Sequence, residues 1–138
     1  NDFADQRRIA SSSNMIIAGV NYARSEAARL GTSVTLQAMN GADDANEWGA
    51  GFCVTAGTPG SCDTPLNVFQ PDAKVTLDGV DGLNGLVSLT FDSTGMLTAA
   101  VDGGIEVCGM SAAEDPGRVI RINAIGRAST GELECFGD

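Results

Sequence analysis

Asn14-Met-Ile-Ile-Ala-Gly-Val-Asn-Tyr-Ala-Arg-Ser-Glu-Ala-Ala-Arg-Leu-Gly31-Thr-Ser-Val-Thr-Leu36 is a long helix that ends on a glycine and runs straight into a strand. With Val20 as zero and a step of 100° per residue, Ile9, Ser13, Ile16, Ile17, Val20, Ala23, Ala27 and Leu30 fall within about 80° of it. That stripe faces a core. Gly31 sits where a left-handed C-cap is expected, and Arg29 suits the negative end of the helix dipole. The pattern predicts a helix over residues 2–30, about 40 Å long, with Ile9, Ile16, Ile17, Val20, Ala27 and Leu30 buried. A second, smaller stripe of Met15, Ala18 and Tyr22, with Ser11 and Ser25 in line, lies on the opposite side. These three residues are expected to stand in solvent, either by chance or as a contact for neighbouring helices.

After Gly31 the chain reads as short strands: 33–39, 51–55, 66–69, 74–78, 86–91, 96–101, 105–108, 118–123 and 133–135. Turn signals separate them, among them Asn40-Gly41, Asp81-Gly82, Asn84-Gly85, Ser93-Thr94-Gly95 and Ile125-Gly126. Leu86-Val-Ser-Leu-Thr-Phe91, a turn and Met96-Leu-Thr-Ala99 form a hairpin pattern. Such runs specify antiparallel meanders, and a sheet with one apolar face needs a cover. The helix stripe supplies it, with Val34, Leu36, Leu89 and Phe91 on the sheet side. The fold class is therefore α+β, a long N-terminal helix on antiparallel sheets, in one domain of 138 residues.

Composition narrows the chemistry. Histidine is absent, which removes the commonest general base and metal ligand. The single lysine is Lys74, so no lysine–serine pair is available beyond it, and nucleotide-loop and hydrolase fingerprints are missing. Eighteen acidic residues leave a carboxylate-pair hydrolase open, although aromatics that hold sugars are few. The net charge is −10, spread as +1 over residues 1–30, −8 over 31–102 and −3 over 103–138. An acidic surface repels nucleic acid and anionic lipid. Asp43-Asp44-Ala45-Asn46-Glu47 has oxygen ligands suited to calcium but lacks EF-hand spacing, and reads as a solvated loop. Trp48 then reads as a core anchor at the start of a strand.

Four cysteines, Cys53, Cys62, Cys108 and Cys135, without histidine or a Cys-x-x-Cys, point to two disulfides rather than zinc or free thiols. Cys53 and Cys62 flank the turn Thr58-Pro59-Gly60-Ser61 and can meet locally. Of the three possible connectivities, Cys53–Cys62 with Cys108–Cys135 is the simplest. It implies an oxidising compartment. The longest apolar run, Met15 to Val20, is far below the roughly 20 residues that span a bilayer.

The segment Ala23-Arg24-Ser25-Glu26-Ala27, then Gly31 and Ser33-Val34-Thr35-Leu36, resembles the GspH/FimT family of minor pilins and pseudopilins. Trp48-Gly49-Ala50-Gly51-Phe52, Leu89-Thr90-Phe91-Asp92-Ser93-Thr94-Gly95, and Cys108 followed by Arg118–Arg127 are similar to further family segments, in the same order. The resemblance implies a type IV pilin-like fold and a non-enzymatic subunit without cofactor. It also implies a precursor cleaved and N-methylated by a prepilin peptidase. A hydrophobic half-helix, expected to precede the present chain, would anchor it in the inner membrane with a periplasmic domain. Its partners would be other pilin or pseudopilin subunits, in a type IV pilus (the FimT/FimU-like reading) or in the pseudopilus of type II secretion. Some FimT proteins bind DNA through a Gly-Arg-x-Arg motif. Here the matching place reads Gly126-Arg127-Ala128-Ser129, which leaves Arg127 alone and disfavours nucleic acid as a partner.

Overall fold

The apolar stripe of the first helix is where strands of both sheets converge. In the computed structural model, which describes residues 2–39 and 45–136, helix α1 spans Asp2–Leu30. Strands β1 (Val34–Ala38), β2 (Phe52–Ala56), β3 (Asn67–Phe69), β4 (Thr76–Asp81), β5 (Ser88–Phe91), β6 (Gly103–Cys108), β7 (Gly117–Ile122) and β8 (Ala128–Leu133) follow, with a short 3-10 turn at Ala112–Glu114 before β7. They form two antiparallel four-stranded sheets, ordered β3-β2-β1-β5 and β4-β6-β7-β8. The fold is α+β, with one helix packed on antiparallel sheets.

Helix α1 contacts strands of both sheets, chiefly β7 and β1. Ile9, Ile16, Val20, Ala23 and Ala27 are buried in one core with Val34, Leu36, Phe52, Leu89, Phe91, Ile105, Ile120 and Ile122. Close approach depends on Gly19. A Cβ there would lie 3.1 Å from the Phe52 ring and 3.2 Å from Leu36. Ser13 is buried within the stripe and donates from Oγ to the Ile9 carbonyl at 2.7 Å, so its hydroxyl is satisfied inside the helix. Phe52 stacks on Phe69 and meets Trp48 edge-on, with centroids 5.4 and 6.1 Å apart.

Two helix positions differ from the reading of the stripe. Leu30, expected in the core, is exposed at the last position of α1, where Gly31 at φ 68° turns the chain out of the helix. Ile17, on the flank of the stripe, is only half-buried. Among the strands, 96–101 is not one. Leu97 makes a single bridge to Phe91 and the Thr98 amide donates to the Thr90 carbonyl; then the chain departs to supply β6 in the other sheet. The last strand also comes earlier than 133–135, because the turn at Asn123–Arg127 starts β8 at Ala128. The turn at Asn40-Gly41 lies outside the described residues.

Both disulfides, Cys53–Cys62 and Cys108–Cys135, are formed. The first closes a loop over the outer face of the β1 sheet, where Thr35 Oγ1 meets the Gly57 carbonyl at 2.7 Å. The Gln37 carboxamide clasps the same loop, accepting from the Gly60 amide and donating to its carbonyl. The second ties the tail to the end of β6, and the Asp115 carboxylate accepts the amides of Cys135 and Phe136 at 3.0 Å. Replacing Cys108 and Cys135 together by serine should cost about 3 kcal/mol by the chain-entropy account, and the shorter Cys53–Cys62 loop about 1 kcal/mol less. Urea midpoints of the two double variants check the order.

Candidate assembly surface

The outer side of α1 is partly roofed. Ala18 is exposed, but Met15 and Tyr22 are half-buried and pack against the margin of the core. The expectation that all three stand free in solvent is corrected by β3. Its preceding residue Leu66 accepts the Tyr22 hydroxyl at 3.2 Å, and Phe69 comes up beside Met15 and Ala18. Helix and strand enclose an open groove of about 470 Å³ whose walls include Arg7, Ser11, Asn14, Met15, Ala18 and Phe69. It continues toward the helix N-terminus beside Gln70 and Asp72. Leu66 and Val68, 38% and 46% exposed, extend the apolar surface past Tyr22. Helical periodicity found the three α1 residues. The β3 side of the groove left no signal in the sequence, because its proximity to α1 is tertiary.

Arg24, inside the most family-like segment, has a structural task. Its Nε donates to the Gly95 carbonyl at 2.9 Å and ties α1 to the turn after β5. Arg127 is exposed at the β7–β8 turn, close to Arg121 and Asp102 in a shallow cleft. Arg121 is already paired with Asp81 at 2.9 Å. The cleft therefore presents few unpaired cations to a phosphate chain.

The acidic segment is the main departure from a solvated loop. Asp43 and Asp44 lie outside the described residues, but Glu47 is fully buried. Its two oxygens accept the Gly79 amide at 2.9 Å and the Gly85 amide at 2.6 Å, while Asn46 Oδ1 accepts the Leu77 amide at 2.7 Å. Trp48 donates its own amide to the Leu77 carbonyl and is wholly buried, a core anchor. The segment thus clamps the free edge of β4. Among the described residues no group of three His, Cys, Asp or Glu is arranged to hold a metal. No described helix is long and apolar enough to cross a membrane.

One helix sheathed on one stripe by two sheets, with a groove along the other, defines the pilin-like class of filament subunits. The chain belongs to the GspH family: the model of that family, described as type II transport protein GspH, matches residues 12–126. Two crystal forms of the type IV minor pilin FimU from Pseudomonas aeruginosa are similar to it, each at 26% identity. One has a TM-score of 0.75 and covers 94% of this chain and 92% of FimU. The other has a TM-score of 0.71, with 88% and 91% covered. The minor pseudopilin EpsH of the Vibrio cholerae type 2 secretion system shares the fold at 11% identity, TM-score 0.59, over 95% of this chain and 99% of EpsH. No curated protein matches the chain by sequence. The role is that of a minor pilin or pseudopilin, families whose members are structural subunits. Members of the family are periplasmic or associated with a pilus or pseudopilus, and assemble with other pilin subunits.

Asp78 makes the β4 clamp sensitive to pH. Partial burial, then the Glu47 carboxylate beside it, then Glu106 directly opposite on β6, push its carboxyl up to about 6. A carboxyl raised in the folded state holds its proton when the unfolded chain has released it, so folding is favoured at low pH. That contribution is full below about pH 4 and is lost as pH rises through about 6. Asp78→Asn should therefore raise the urea midpoint at pH 8 and flatten its dependence between pH 4 and 7. A midpoint unchanged at pH 8 would mean that the Asp78 carboxyl is not raised in the folded state.

Proposed function

We propose that the chain is a minor pilin of a type IV pilus, joining or priming the filament near its tip. The observation that carries this reading is the similarity to FimU, which exceeds that to EpsH in both identity and fold agreement over comparable coverage. A minor pseudopilin of type II secretion is the second reading, favoured by the description of the matching family. In either case a hydrophobic helix preceding α1 would hold the precursor in the inner membrane for the prepilin peptidase, with residues 1–138 as a single periplasmic domain. The outer face of α1, at Met15, Ala18 and Tyr22, is the contact for neighbouring subunits. Its exposed Ala18 and the groove beside it can accept another helix without moving the core.

Ala18→Glu tests the contact. The isolated domain should fold with a nearly unchanged melting temperature, because Ala18 is exposed. The same change in the full-length protein should reduce surface pili. Normal piliation together with normal protein secretion would end the assignment of this face, and loss of protein secretion with pili intact would favour the pseudopilin.

A DNA receptor of the FimT kind is disfavoured by the lone Arg127 and by the −3 charge of residues 103–138. Gel-shift with duplex DNA at low salt should give no retained complex, and tight salt-sensitive binding that Arg127→Ala abolishes would reverse this.

A further inference from the structure

Of the four lateral edges of the two sheets, three are closed by the chain itself. The β4 edge is held by Asn46, Glu47 and Trp48. The β5 edge is bridged by Leu97 and Thr98. On β3, Asn67 Oδ1 takes the Val68 amide and Tyr22 covers the Leu66 carbonyl. Among the described residues nothing pairs with the outer edge of β8. At six residues, Ala128-Ser-Thr-Gly-Glu-Leu133 has no proline, lysine or bulge, the usual devices that blunt an open edge.

We infer that β8 is a pairing edge for a second copy of this chain, joining the two β4-β6-β7-β8 sheets antiparallel through Thr130. The hairpin sets which groups are free. The Asn123 amide donates to the Arg127 carbonyl at 3.1 Å, and Arg121 and Val119 stand opposite Ser129 and Gly131. Odd-numbered residues of β8 therefore bond inward to β7. The N–H and C=O groups of Ala128, Thr130 and Glu132 point to the open edge.

A two-fold axis perpendicular to the sheet keeps like faces together, so even residues must pair with even ones. Centring on Thr130 sets Thr130 against its symmetry mate and Ala128 against Glu132, with on the order of six main-chain hydrogen bonds. Threonine pairs across strands are favourable. Centring on Glu132 would oppose two carboxylates, and centring on Gly131 would put no side chain at the axis. Charge also agrees: in a chain of net −10, residues 127–133 are neutral, Arg127 balancing Glu132. The area is small, so the contact is weak and concentration-dependent. It stands on this edge and not on which filament the chain enters.

Sedimentation of the present chain from micromolar to millimolar concentration at moderate salt should show a rising dimer fraction. Thr130→Pro removes an amide that β7 does not use, and Thr130→Lys sets like charges face to face. Both should remain monomeric, with an unchanged circular dichroism spectrum in the case of the exposed lysine variant. Thr130→Cys should form a disulfide-linked dimer on mild oxidation, seen as a doubled mass without reductant. A wild-type chain that stays monomeric at millimolar concentration, a dimer that survives Thr130→Lys, or no cross-linking of Thr130→Cys would overturn the proposal.

Discussion

One apolar stripe on one helix has to close two sheets at once. Ile9, Ile16, Val20, Ala23 and Ala27 reach leucines, isoleucines and aromatic rings from both, so neither sheet can bury its face without α1. Gly19, without a side chain, lets Leu36 and Phe52 of one sheet come close to the helix. Burial of this kind is the dominant favourable contribution to folding. A helix about 40 Å long cannot be sheathed all round by a domain of this size. Its other side is therefore left for something else, and the groove beside β3 follows from the same shortage.

Polar side chains do the remaining work at the margins. A buried carboxylate is costly unless its oxygens find donors, and Glu47 finds two backbone amides of the β4 region. The clamp fixes residues 46–48 against β4 and denies that edge to other strands. Asn67 and Tyr22 act in the same way on β3, and Gln37 holds the disulfide loop against β1. Against that pattern of closed edges, β8 is the exception. Partial burial, with the Glu47 and Glu106 carboxylates nearby, holds the Asp78 carboxyl above its usual range and makes this joint responsive to pH.

Membership of the GspH family and the geometry of α1 bear on different questions. The family match and the likeness to FimU define a minor pilin or pseudopilin, and EpsH shares the fold. The groove between α1 and β3 is the surface to which the proposed subunit contact is assigned, and in the cleft beside Arg127 the neighbouring Arg121 is already paired with Asp81. Arg24 links the two, since the residue that marks the family-like segment anchors the β5 turn to the helix.

The helix from Asp2 to Leu30, the α+β class, most strands and the family were legible in the chain alone. A period of 3.6, alternation and turn residues are local properties, and a sequence records them directly. The cysteine pairing was legible too, through one local turn and elimination. What only the tertiary structure decided was where segments go once they leave an element. Met96 to Val101 reads as a strand but must cross to another sheet, Leu30 belongs to the stripe but overshoots it, and Glu47 looks solvated but is enclosed. Met15 and Tyr22 are covered by a strand more than forty residues away. Each outcome depends on which distant surface arrives, and neither periodicity nor composition holds that information, because long-range pairing is set by the packing of the whole core.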